Sequence, residues 1–139
     1  ALVQYSPGEL FTLVNDVESY PQYLPFCVEA RVLSRLDDEV TAHIAFARAG
    51  LRHGVTTRNR LQAPHRLEME LVDGPFELLR GAWEFRPLGA AASKVSFSLE
   101  YELASGLLQA VAGLAANDAA AMAMDAFHRR AVQLYGKRA

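Results

Sequence analysis

The chain has 139 residues, 51% of them hydrophobic and 22% charged, a balance suited to one globular domain with its own core and no second unit. A formal charge of -2 and a pI near 6.1 exclude a protein that holds nucleic acid by bulk positive charge, so no DNA partner is expected and any phosphate contact must be local. A single cysteine, Cys27, excludes an internal disulfide and a zinc motif, and there is neither an apolar run of about 18 residues nor a signal-peptide pattern, which fits a reducing cytoplasm.

The first element is a short strand over Ala1–Tyr5; the chain opens without methionine inside this pattern, so trimmed residues upstream are expected. Ser6-Pro7-Gly8-Glu9 reads as a capping box with proline in the first helical turn, launching a helix through Leu10, Phe11, Leu13 and Val14. Pro21 and Pro25 leave room for one further short helix around Tyr20 and Tyr23. From Val28 the apolar period becomes two for about 75 residues, the pattern of an antiparallel meander. Val28, Ala30 and Val32 alternate with Glu29 and Arg31, and Val40, Ala42, Ile44 and Phe46 follow the Asp37-Asp38 turn. After Gly50, His53, Val55, Thr57, Asn59 and Leu61 share a face opposite Arg52, Thr56, Arg58 and Arg60, and then Leu67, Met69 and Leu71 oppose Arg66, Glu68 and Glu70.

Beyond the Asp73-Gly74 turn, Leu79, Gly81, Trp83 and Phe85 point one way, and a glycine on that apolar face removes a side chain where a core wants one. Something must approach the sheet there, either a helix or a ligand. The last strand alternates Val95, Phe97, Leu99, Tyr101 and Leu103 against Lys94, Ser96, Ser98, Glu100 and Glu102. Ser105 is a suitable cap for a final helix reaching Tyr135, roughly 45 Å if continuous, with Gly136 as its stop and Lys137 and Arg138 at its negative end. Its apolar stripe changes phase: Leu107, Val111 and Leu114 lie on one side, and Ala120, Met124, Phe127, Ala131 and Leu134 on another, with Gly113 the expected bend. Short helices, a long meander and a terminal helix laid across it make an α+β helix-grip fold: a curved antiparallel sheet of about six or seven strands wrapped around one long helix.

Several segments carry a family resemblance over essentially the whole chain. They are Leu13-Val14-Asn15-Asp16-Val17-Glu18-Ser19-Tyr20-Pro21-Gln22-Tyr23-Leu24-Pro25, then Thr57-Arg58-Asn59, Leu71 to Phe76, and Gly81 to Leu88. Together they resemble the coenzyme Q-binding protein family of the START-like superfamily, and within it the bacterial RatA branch. The resemblance implies two functions that need not exclude each other. One is binding of ubiquinone or a related isoprenoid lipid in support of respiration, with transient membrane contact and a place in the cytoplasm or at the periphery of the inner membrane. The other is binding to the large ribosomal subunit and blocking its association with the small one.

Phe46, Trp83, Phe85, Phe97, Tyr101, Met124 and Phe127 are the expected apolar walls between sheet and helix, with Gly81 opening space beside them. His53, Thr57 and Asn59, with Arg48 on the neighbouring strand, form a polar inward set able to hydrogen-bond a carbonyl-rich head. A filled core and an exposed strand end are the competing readings of these two groups. On the outer face Arg52, Arg58 and Arg60, extended by Arg31 and Arg35, form a row at two-residue spacing suited to RNA phosphates, against which Glu68 and Glu70 are placed to neutralise it. No catalytic constellation is found: His43, His53, His65 and His128 sit on different elements without metal spacing, and Asp118 and Asp125 read as solvated carboxylates. The expected role is therefore non-enzymatic binding with no required cofactor or metal.

Overall fold

The computed structural model describes residues 1–48, 50–103 and 116–137. Seven strands form one antiparallel sheet: β1 (Leu2–Val3), β2 (Cys27–Arg35), β3 (Glu39–Arg48), β4 (Leu51–Gln62), β5 (Arg66–Asp73), β6 (Phe76–Pro87) and β7 (Ser93–Leu103). Their order across the sheet is β1-β7-β6-β5-β4-β3-β2, so every neighbour after the first crossover is joined by a hairpin, as the uninterrupted period of two predicts. Helix α1 (Pro7–Asn15) and a 3-10 helix (Val17–Gln22) follow β1, and helix α2 (Ala116–Tyr135) closes the fold.

The capping box at α1 forms: Ser6 Oγ accepts from the Glu9 amide at 3.2 Å and Glu9 Oε1 accepts from the Ser6 amide at 3.0 Å. That fixes the start of α1 so that Leu10, Phe11, Leu13 and Val14 are all buried. At the other end of the chain Gly136, at φ 82°, ends α2 with its amide bonded to Val132 O at 2.9 Å. Tyr5 Oη donates to Gly136 O at 2.7 Å and Tyr135 Oη to Glu9 O at 3.0 Å, tying the first strand, α1 and the end of α2 together.

Two sequence expectations change. Val28 does not join the inner face; β2 carries irregularities between Cys27 and Glu29 and between Val32 and Ser34, so Cys27 turns inward and Val28 is left 46% exposed. These bulges fall on a sheet edge, where they disfavour pairing with another chain. Leu134 is 50% exposed, because the buried stripe of α2 follows an i, i+4 ridge through Phe127 and Ala131 and ends on Tyr135 instead. Ser105, Leu107, Val111, Gly113, Leu114 and Arg138 lie outside the described residues, as do the side chains of Arg48 and Leu103.

One half of the space under α2 is solid. Val17, Val40, Leu67 and Phe85 are at most 1% exposed, and the Phe11 ring meets Phe85 edge-on at 6.5 Å. The other half, toward the β3–β4 and β5–β6 turns, is where the candidate site lies.

A candidate ligand cavity and a charged outer face

The inner face of β3 to β7 and the underside of α2 enclose a cavity of about 330 Å³, lined almost wholly by apolar groups. Its flat wall comes from the cross-strand pair Trp83 and Phe97, whose rings stack at 4.2 Å and 15°. Phe127 from α2 meets Trp83 edge-on at 5.0 Å and also touches Tyr20 and Tyr23, each at 5.4 Å. Phe76 and Tyr101 form an edge-on pair at 6.0 Å near the β5–β6 turn. Phe26, after the 3-10 helix, both lines the cavity and stays 41% exposed, which places it at the rim. Its φ of 66° is unusual for a bulky residue, and its carbonyl is held by the Ala47 amide at 2.9 Å.

Of the sequence-predicted walls, Phe46, His53, Thr57, Asn59, Trp83, Phe97, Tyr101 and Phe127 come together around this space. Gly81, Phe85 and Met124 do not line it. Phe85 belongs to the solid half of the core, stacked 6.0 Å from Trp83. Met124 packs on the core but lies off the α2 ridge that faces the cavity, and Ala119, Met122 and Ala123 take that place. Gly81 has its missing side chain filled by neighbours: a Cβ there would meet Met69 Cε at 2.9 Å, Ser98 O at 3.0 Å and Leu99 Cδ1 at 3.4 Å. Met69 and Leu99, its partners on β5 and β7, lean over the glycine, so it lets cavity side chains close up on the sheet instead of admitting a ligand. Ile44, Val55, Met69, Leu79 and Leu99 line the cavity without having been singled out; the period of two already put them on the inner face. Tyr20, Leu24, Pro25 and Phe26 had no periodic signal to mark them.

Polar groups in the cavity are few. Thr57 and Asn59 are 5% and 3% exposed, and Thr57 Oγ1 donates to Asn59 Oδ1 at 3.0 Å. His53 Nε2 is buried and has no hydrogen-bond partner among the described residues. Burial raises the phenols of Tyr20 and Tyr23 well above their usual range, and burial followed by the Asp118 carboxylate raises that of Tyr101, so all three stay protonated. Cys27 is buried with Sγ donating to Glu29 O at 3.6 Å, and burial raises its thiol, which fits an inert cysteine.

The outer face of the same sheet is a lattice of ion pairs. Arg52 meets Glu29 at 2.6 Å, Arg58 meets Glu39 at 2.9 Å and Glu70 at 3.7 Å, and Arg60 meets Glu70 at 3.4 Å. Arg31 shares Glu29 at 3.0 Å, Arg66 pairs with Glu68 and Glu84, and Arg80 with Glu100. Arg31, Arg52, Arg58 and Arg60 therefore each face a carboxylate: Arg31 on its own strand, Arg58 and Arg60 on adjacent strands, and Arg52 across β3 on β2. Among the described residues no group of three or more His, Cys, Asp or Glu side chains is set to hold a metal ion. His43 bonds Thr56 Oγ1 at 3.1 Å on the outer face, and Asp125 pairs with Arg129 at 3.3 Å. No described helix is long and apolar enough to cross a membrane.

Residues 3–128 match the family described as polyketide cyclase / dehydrase and lipid transport. The chain belongs to that family. Within it the chain is 40% identical over 138 residues to the ribosome association toxin RatA of Escherichia coli K12, covering 99% of this chain and 87% of that one. It is 29% identical over 87 residues to the mitochondrial coenzyme Q-binding protein COQ10 of Drosophila melanogaster, covering 62% of this chain and 36% of that one. Among solved structures, the 18 kDa protein CC1736 of Caulobacter crescentus superposes with a TM-score of 0.74 at 32% identity, covering 99% and 95% of the two chains. A START superfamily protein from Mycobacterium smegmatis superposes with a TM-score of 0.73 at 20% identity, covering 96% and 94%, and shares the fold. The helix-grip, START-like architecture and the RatA and coenzyme Q-binding resemblance expected from the sequence both stand.

Proposed function

We propose that this protein associates with the ribosome, on the large subunit, and hinders its joining to the small one. One observation carries this reading: identity of 40% across 99% of the chain to a family member named for ribosome association. The outer face supplies a physical route. Exposed ion pairs are worth about 0–1 kcal/mol, so Arg52, Arg58 and Arg60 can exchange a glutamate for an RNA phosphate at little cost. With three such phosphate contacts, affinity should fall roughly 20- to 40-fold between about 50 and 200 mM salt. Pelleting with isolated large subunits through a sucrose cushion tests the reading. The protein pellets with the subunit if it holds, and stays in the supernatant if it does not.

The apolar cavity favours a second reading, non-enzymatic binding of a hydrophobic small molecule such as ubiquinone or a related isoprenoid lipid. Its volume lies at the small end of ligand sites, roughly eleven water volumes, enough for a one-ring head and a short tail. Such a ligand reaches the protein by transient membrane contact and serves as cargo, with no cofactor required. Lipid extraction of protein purified from its host should yield a quinone or other lipid. Repeated preparations with none, together with no rise in melting temperature on adding ubiquinone, would count against it.

A further inference from the structure

We propose that His53 is the polar anchor of the cavity, which selects a ring-bearing amphiphile with a hydrogen-bonding oxygen over a plain hydrocarbon; this rests on the cavity reading above. Four buried side-chain polar atoms lack a partner among the described residues, on Asn15, Tyr23, His53 and Arg130, and of these four residues His53 alone lines the cavity. An imidazole nitrogen shut away from water with nothing to bond is costly, and a group brought by a ligand removes that cost. The other polar side chains on this face of β4 do not share the need, since Thr57 donates to Asn59 and closes that pair on itself. His43 shows the contrast: one strand away, on the outer face, its ring Nδ1 meets Thr56 Oγ1 at 3.1 Å.

The placement also orients the ligand. His53 pairs with Phe46 close to the β3–β4 turn, whereas Thr57 and Asn59 lie further along β4 toward the solid half of the core. A head oxygen at His53 Nε2 therefore leaves the apolar body against Val55 and the flat Trp83–Phe97 stack.

The test is calorimetric titration of decylubiquinone and decylbenzene, one head polar and the other not, into the parent, His53→Leu and His53→Gln. Losing one hydrogen bond to the head should weaken decylubiquinone about tenfold in His53→Leu while leaving decylbenzene within about twofold. His53→Gln, which keeps a hydrogen-bonding group within reach, should stay near the parent for both. The anchor is overturned if His53→Leu binds decylubiquinone as tightly as the parent, or loses both ligands equally. If the parent binds neither, the cavity reading itself fails and the anchor falls with it. Melting temperatures of the three proteins, expected to agree within a few degrees, confirm that the variants are folded.

Discussion

Replacing Gly81 by alanine sets two effects against each other. Alanine restricts the unfolded chain and in a strand gains about 0.5–1 kcal/mol over glycine. The added methyl, however, reaches 2.9 Å from Met69 Cε, 3.0 Å from Ser98 O and 3.4 Å from Leu99 Cδ1. Met69 Cε is the end of a flexible side chain and can swing into the cavity. Ser98 O cannot, because it belongs to β7, which is paired with β6 on both sides of this point. Overpacking of this kind costs about 1–3 kcal/mol, so the net effect is a loss of about 1 kcal/mol and a melting temperature lower by about 3–5 °C. Thermal denaturation followed by circular dichroism reads it directly. A double-mutant cycle with Met69→Ala should show a favourable coupling of about 0.5–1 kcal/mol, since removing Met69 Cε relieves one of the close contacts and leaves the carbonyl in place. A Gly81→Ala protein that melts at or above the parent refutes the close-approach account of this glycine.

Removing the guanidinium row with Arg52→Ala, Arg58→Ala and Arg60→Ala together should sharply reduce pelleting with large subunits while shifting the melting temperature little, because exposed pairs contribute little to folding; undiminished pelleting rules the row out as the contact. Thr57→Val leaves Asn59 Oδ1 buried without its donor and should cost about 1–2 kcal/mol, seen as a lower urea midpoint at unchanged slope. The raised thiol of Cys27 and raised phenols of Tyr20, Tyr23 and Tyr101 make the native state hold these protons more tightly than the unfolded chain does. Their contribution to stability is complete below the unfolded values and is lost as pH climbs through about 9 for the thiol and 10 for the phenols. Urea titrations across that window should show falling stability, with Cys27→Ala flattening its first part; a flat profile contradicts the burial of these groups.

Much of the fold was legible because its signals are local and periodic. The capping box at Ser6 and Glu9, the strand alternation from β3 to β7 and the stop at Gly136 follow from side-chain chemistry within a few residues of the chain. Val28 was misplaced because a bulge shifts alternation by one without any residue that announces it. Met124 and Leu134 were misplaced for a related reason: an alanine-rich helix offers several stripes of similar apolarity, and only packing against α1 and the sheet selects the ridge ending at Tyr135. In the candidate site, the flat aromatic wall and the polar face of β4 could be read from alternation alone. What filled the gap at Gly81 could not, because it depends on Met69 and Leu99, which are neighbours only after β5, β6 and β7 pair. The neutralising lattice on the outer face was half visible, with Glu70 placed correctly and the contributions of Glu29 and Glu39 decided by register.

Sedimentation of mixed ribosomal subunits on sucrose gradients tests the central claim most directly. With the purified protein added in excess over large subunits, the account predicts that the joined-ribosome peak shrinks, the free-subunit peaks grow, and the protein sediments with the large subunit. An unchanged joined peak, with the protein left at the top of the gradient, contradicts it.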